Sequence, residues 1–362
     1  MSKAPHNALW TIFAPIITLL LLALLLLIGS IGWGYSVLLA IGLIAGVAAA
    51  VHHAEVIAYV IGEPFGTLVL ALAVTVIEVS LIVSIMLSLG EASTMLARDT
   101  VFATVMIILN FIIGLCFLLG GIRFGEQRFH LQGVSASLTT LAAIVVLALI
   151  LPNYTTSVAG PIYTHSQLTF VAVVSLVLYG LFIFIQAVRH RDYFLMSSSD
   201  KVKSEVVIPL PKRTTITSSV LLLASLVGVV LAAKVLSPDV ERLVSAMGAP
   251  KSVVGIVIAF VVLLPEGLAS LRAAYNNRLQ TSLNLALGSA LATIGLTIPV
   301  VAMVVIFSDL TLTLGLDRKS IVLLVLSLFI ASLSMSTGRI TLLQGAIHIV
   351  LFLTYLFMTI VP

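Results

Sequence analysis

Apolar runs of about 18 or more residues recur along the whole chain, each long enough to cross roughly 30 Å of hydrocarbon as a helix. Short polar or Gly/Pro-containing breaks separate them. The pattern predicts helices at about 8–29, 35–51, 66–89, 99–120, 133–151, 167–188, 217–235, 251–274, 281–307, 319–336 and 340–360, the eleven spans of an all-α membrane protein. The first run, Leu9 to Ile28, lacks the short apolar core and small-residue cleavage site of a secretory leader, so it reads as an uncleaved anchor.

The long polar segment Arg189 to Ser219 carries Ser197, Ser198 and Ser199 and then Pro209 and Pro211, the composition of a flexible connector. Six predicted spans precede it and five follow. With the first helix as an extra, five and five remain, and an odd number of spans per half inverts one half relative to the other, the plan of many secondary transporters. The expected division is an extra helix in 1–34, a first repeat in 35–188, a cytoplasmic linker in 189–216 and a second repeat in 217–362. Internal spacing agrees. Glu78 in the third span precedes Thr100 and Gly114 in the fourth, Glu266 in the eighth precedes Thr281 and Gly295 in the ninth, and Thr and Gly are fourteen apart in both halves.

Composition narrows the class. Of 362 residues, 60% are hydrophobic and 9% charged, against about 25% charged in an ordinary soluble domain, which excludes a soluble fold. A net charge of +4 without a clustered basic face points to no nucleic-acid partner; the lipid bilayer is the expected surrounding. The single Cys116 excludes an intrachain disulfide framework and reads as a packing residue. With the amino terminus in the cytoplasm, Lys3, Arg123, Arg128, Arg189, Arg191, Lys201, Lys203, Lys212, Arg213, Arg272, Arg278 and Arg339 share one side, twelve of the eighteen cations. That bias predicts amino terminus and linker inside, carboxyl terminus outside.

Two carboxylates interrupt the apolar pattern. Glu78 has about eleven residues of apolar helix on either side, which places it near the bilayer midplane, and Glu266 is likewise deep. A charge at that depth costs at least about 2.5–3.5 kcal/mol. Protonated or hydrogen-bonded glutamates acting as packing glue are one explanation; an ion or proton site is the other. Burial and mutual repulsion favour a proton on each, and a divalent cation reverses that preference. Ca²⁺ takes about six to eight oxygens. The hydroxyls of Thr75, Ser270, Ser289 and Thr293, the amide of Asn110 and the carbonyl of Val261 are candidates, the last because Pro265 deprives it of its helical donor. Ser289, Thr293 and Thr297 also recur every four residues beside the small Gly288 and Gly295. Two carboxylates neutralised by one Ca²⁺ or by two protons form the minimal chemistry of an antiporter. Proton-coupled Ca²⁺ exchange is therefore expected, with Na⁺ or K⁺ exchange at the same pair and an uncoupled cation channel as alternatives. No cofactor beyond the transported ions is expected, and no His-Glu-x-x-His or nucleophile–base pattern points to an enzyme.

The segments Gly62-Glu-Pro-Phe-Gly-Thr-Leu-Val-Leu-Ala-Leu-Ala-Val-Thr-Val-Ile-Glu78 and Pro265-Glu-Gly-Leu-Ala-Ser270, the latter followed by Asn276-Asn-Arg-Leu-Gln280 and an apolar run through Gly288-Ser289 to Pro299, resemble the two α-repeats of calcium/proton antiporters in the calcium/cation exchanger superfamily, nearest the bacterial ChaA type. The resemblance implies an inner-membrane antiporter in which Glu78 and Glu266 alternately carry Ca²⁺ and protons. It also implies that the third, fourth, eighth and ninth spans form the core, with the second and seventh shifting across it. The chain departs from many relatives at Thr75, where Asn is usual, at Leu263, at Gly267 beside Glu266, where His is common, and at Ala292, where a polar residue stands. ChaA-type proteins are also associated with Na⁺/H⁺ and K⁺/H⁺ exchange.

The remaining polar signals have plainer readings. His52, His53 and Glu55 read as flanks at a helix end, and Glu63 before Pro64 as a helix start or as a charge that gathers cations at the pore mouth. Gln344 and His348 read as a polar stripe in the last helix, and Arg98–Asp99 and Arg123–Glu126–Arg128 as solvated loop charges.

Overall fold

The computed structural model describes residues 9–28, 32–61, 65–89, 94–194, 211–246, 250, 252–308 and 310–361. The helices are α1 Leu9–Ile28, α2 Gly32–Ile61, α3 Phe65–Leu89, α4 Leu96–Met106, α5 Ile113–Phe124, α6 Leu131–Val145, α7 His165–Phe184, α8 Lys212–Ala246, α9 Ser252–Tyr275, α10 Leu279–Ser308, α11 Arg318–Met335 and α12 Leu342–Ile360. A π-helical turn, Ile107–Ile112, joins α4 and α5 into one span, so the described residues form eleven spans, as the apolar pattern predicts. Among these residues nine helices are long and apolar enough to cross a bilayer, and α1 and α3 carry the shorter apolar stretches Leu9–Leu25 and Leu72–Leu87. A helix meets its own backbone donors and acceptors, the condition for standing in hydrocarbon.

The boundaries that differ most from the expectation belong to α2 and α8, and α8 runs about eleven residues past its expected end, to Ala246. Helix α2 continues about ten residues past the expected end because its polar residues are satisfied by a neighbouring helix: His53 is fully buried, with Nε2 3.0 Å from the Thr11 carbonyl of α1. His52, His53 and Glu55 thus lie inside a helix, not at its flank. Helix α8 takes Lys212 to Ser219 from the connector. Its hydroxyls cost the helix little, because Ser219 donates to the Thr215 carbonyl at 3.0 Å and Ser225 to that of Leu221 at 2.8 Å. Residues Ser197, Ser198, Ser199, Pro209, Glu63 and Pro64 lie outside the described residues.

The chain forms two compact units, and neither is a sequence half. The first holds α1, α2, α3 and α8. Its core gathers Leu22, Tyr35, Leu39, Ala232 and Leu236, and small residues bring the helices close: a Cβ on Gly46 would lie 3.1 Å from Val229. Thr18 Oγ1 stands 2.9 Å from the carbonyls of Ala14 and Gly42, and Ser36 donates to Asp239 at 2.6 Å.

The second unit holds α4–α7 and α9–α12. Within it the halves interlock reciprocally. The third span of the first half packs on the last helix of the second, α5 on α12, and the third span of the second half packs on the last helix of the first, α10 on α7. A Cβ on Gly114 would lie 3.0 Å from His348 Cβ, and a Cβ on Gly295 would lie 2.7 Å from Tyr179 Cβ. The connectors repeat the exchange. Strand β1, Gln127–Arg128, pairs antiparallel with β2, Arg339–Ile340, and a single bridge joins Ile162 to Thr313. Each links the segment after one half's third span to the segment before the other half's last helix, the signature of inverted repeats.

Candidate cation site

In the first unit, Thr75 and Glu78 are three residues apart on one face of α3. Glu78 is 0% exposed and Thr75 3%, among the buried Val74, Ile77 and Ile82.

In the second unit, Pro265, Glu266 and Gly267 stand inside the continuous helix α9. Pro265 has no N–H, so the Val261 carbonyl has no donor four residues on. Both carboxylate oxygens of Glu266 are enclosed. One turn on, Ser270 is 0% exposed, and its hydroxyl has no hydrogen-bond partner among the described residues. Gly267 lets α9 approach the π turn, since a Cβ there would lie 3.2 Å from Ile112 Cδ1. Helix α10 packs along α9 and carries Ser289, Thr293 and Thr297, all buried. The hydroxyl of Thr297, the third member of the every-fourth-residue stripe, has no partner among the described residues either. A hydroxyl in a helix usually returns to the carbonyl four residues back, as Thr100 does to Leu96 at 2.8 Å; one that does not is available to a ligand. This unit thus brings Glu266, Ser270, Ser289, Thr293 and Asn110 onto mutually packed spans, and Glu78 and Thr75 belong to the other unit.

Asn110 lies in the π turn and is fully buried. Its Nδ2 donates to Ser327 Oγ at 2.9 Å, and its Oδ1 is 3.3 Å from His348 Nδ1. His348 is therefore a deep neighbour of Asn110, while Gln344 is engaged in the capping box at the α12 start, with Oε1 2.9 Å from Thr341 N. The expected stripe of Gln344 and His348 separates into a helix cap and a core residue. Arg98 and Asp99 also differ from expectation. They form a 2.8 Å ion pair with side chains only 13% and 16% exposed, and Arg98 Nη1 donates to the Gly315 carbonyl at 3.2 Å. The pair ties the α4 start to the segment before α11, and Asp99 in the first turn of α4 also favours the helix dipole.

The Asn276-Asn-Arg-Leu-Gln280 segment is a cap and a clasp. Asn277 adopts φ 59°, which Asn tolerates better than most residues, and ends α9 with Arg278 N bonded to the Ala273 carbonyl and Asn277 N to that of Ala274. Gln280 Oε1 accepts from His130 N at 2.7 Å, and Gln280 Nε2 donates to Asn284 at 2.9 Å. Asn284 in turn donates to the Phe194 carbonyl at 2.6 Å. This end of the unit carries Arg123, Arg128, Arg189, Arg191, Arg272, Arg278 and Arg339; the opposite end carries Arg98, Arg318 and Lys319 among the described residues.

The comparisons with known proteins agree with this architecture. The chain is 44% identical over 365 residues to y4hA of Sinorhizobium fredii, which carries the name of an ionic transporter, covering 99% of this chain and 98% of that one. It is 35% identical over 320 residues to the sodium-potassium/proton antiporter ChaA of Escherichia coli, covering 87% and 86%. Its fold matches the crystal structure of the H⁺/Ca²⁺ exchanger CAX at a TM-score of 0.72 and 15% identity, over 96% of this chain and 87% of that one. The sodium/calcium exchanger protein family model matches residues 31–188 and 217–361, both halves without the first helix and the linker. The chain is an integral membrane transporter that belongs to the sodium/calcium exchanger protein family.

Proposed function

We propose that the protein is a proton-coupled cation antiporter that exports Ca²⁺ from the cytosol, with Glu78 and Glu266 taking up either the cation or protons. The observation that carries this reading is Glu78, fully buried in an apolar span of a cation exchanger, matched in the second half by Glu266 beside the helix-interrupting Pro265. One Ca²⁺ or two protons leave the pair neutral, whereas a bare pair of charges in hydrocarbon is costly. Alternation between the two loads couples the fluxes. Ser270, Ser289, Thr293 and the Val261 carbonyl are the candidate oxygens near Glu266, and Thr75 is the candidate on the face of α3 that carries Glu78.

A second reading, Na⁺ or K⁺ exchange for protons at the same pair, is favoured by the 35% identity to ChaA, named for sodium-potassium/proton antiport. The excess of arginines at the end holding β1 and β2 supports a reading in which that end faces the cytoplasm.

The test is pH-gradient-driven uptake of Ca²⁺, Na⁺ and K⁺ in everted vesicles, each cation separately, for wild type, Glu78→Gln and Glu266→Gln. Saturable Ca²⁺ uptake that dissipates the gradient, and falls to background in both variants, is expected. Dissipation by Na⁺ or K⁺ alone selects the second reading. Flux of a cation without proton movement overturns both readings in favour of a channel.

A further inference from the structure

A π turn in a buried membrane span needs a partner for the backbone group it displaces. In an α-helix Ile113 N–H would bond to the Leu109 carbonyl; here it bonds to that of Ile108. Leu109 thereby loses its regular donor while fully buried, a state that costs free energy unless another group supplies the hydrogen bond. His348 on α12 stands at this turn, its Nδ1 3.3 Å from the side-chain oxygen of the next residue, Asn110.

The same ring is oriented by Asn110. Ser327 donates its hydroxyl proton to the Leu323 carbonyl at 2.7 Å, so its oxygen accepts from Asn110 Nδ2. The amide oxygen of Asn110 then faces His348 Nδ1 at 3.3 Å, which requires the proton on Nδ1. Phe117 packs edge-on against the ring at 5.8 Å between centroids, and Gly114 leaves the room for α12 to come this close. On its other side the π turn meets α9, where Ile112 fills the space left by Gly267, the residue after Glu266.

We propose that His348 is a positioning residue for Glu266: its Nδ1–H holds the π turn in register, and the turn, through Ile112, holds the Pro265-Glu266-Gly267 segment in place. This rests on the reading of Glu266 as a transport-site residue. Loss of the donor lets the turn relax, and the Glu266 segment loses its backing. The effect falls on cation affinity before it falls on folding.

The experiment compares His348→Leu, which fills the space without a donor, with His348→Asn, whose amide N–H stands near the place of Nδ1–H. Amide hydrogen exchange over residues 104–116 of the purified full chain reads the latch without reference to transport, and the half-saturating cation concentration in everted vesicles reads its consequence. Faster exchange and a roughly fivefold to tenfold weaker affinity are expected in the Leu variant, with near-complete return to wild type in the Asn variant. Wild-type exchange and affinity in His348→Leu would overturn the proposal, and so would equal losses in both variants, which would trace the effect to the imidazole itself. If wild type exchanges no cation for protons, the antiporter reading fails. The amide exchange then still decides whether His348 holds the turn.

Discussion

The third spans of the two halves, α4–α5 and α10, meet the same kinds of neighbour with different backbones. Each packs on α9, and each presents a glycine to the last helix of the opposite half, Gly114 to α12 and Gly295 to α7. Helix α10 is α-helical from Leu279 to Ser308 and keeps Ser289, Thr293 and Thr297 on one buried face. The other span spends an extra residue in its π turn and sends Asn110 to Ser327 and His348. The equal Thr-to-Gly spacing therefore does not mean equal position. Thr100 is fully buried, whereas at the start of α10 Ser282 is buried and Thr281 only partly so. One inserted residue turns everything beyond it by about 100°. A repeat can thus conserve its packing glycines while placing its polar groups on different neighbours.

Substitutions at the two glycines test that comparison most severely. Gly295→Ala drives a methyl to within 2.7 Å of Tyr179 Cβ, an atom fixed to its backbone, and should destabilise by about 3 kcal/mol. Gly114→Ala meets His348 Cβ at 3.0 Å and the flexible end of Ile349 at 3.1 Å, and should cost about 1 kcal/mol. Thermal midpoints in detergent rank them, and equal shifts would mean that the two glycine contacts are equally tight. Asn110→Leu, which gives the π turn an apolar side chain, removes a donor to Ser327 and leaves His348 Nδ1–H without its side-chain acceptor. It should lower stability by roughly 1–2 kcal/mol, and an unchanged midpoint would deny the cluster a structural role. The smallest effect belongs to Glu126→Ala. Its contacts to Arg128 and Arg339, at 3.3 and 3.8 Å, join side chains that are 41–77% exposed, so the midpoint should move by less than the equivalent of about 0.5 kcal/mol.

Much of the fold was legible because a membrane span must be both long and apolar. The eleven runs, the odd count per half and the two midspan glutamates all follow from local composition. The ends of α2 and α8 were not legible, since His53 and the serines of α8 look like breaks until the carbonyls that satisfy them are known. Arg98 and Asp99 misled in the same way: a pair of adjacent charges looks solvated, yet the Gly315 carbonyl that encloses Arg98 lies 217 residues away.

The sequence by itself determined the number of spans and the midspan positions of Glu78 and Glu266, because hydrocarbon judges each helix on its own length, polarity and backbone hydrogen bonds. The tertiary structure alone decided what Asn110 and His348 do. Their partners stand 217 and 238 residues apart in the chain, and only close approach at Gly114 turns a hydroxyl, an amide and an imidazole into one hydrogen-bonded group.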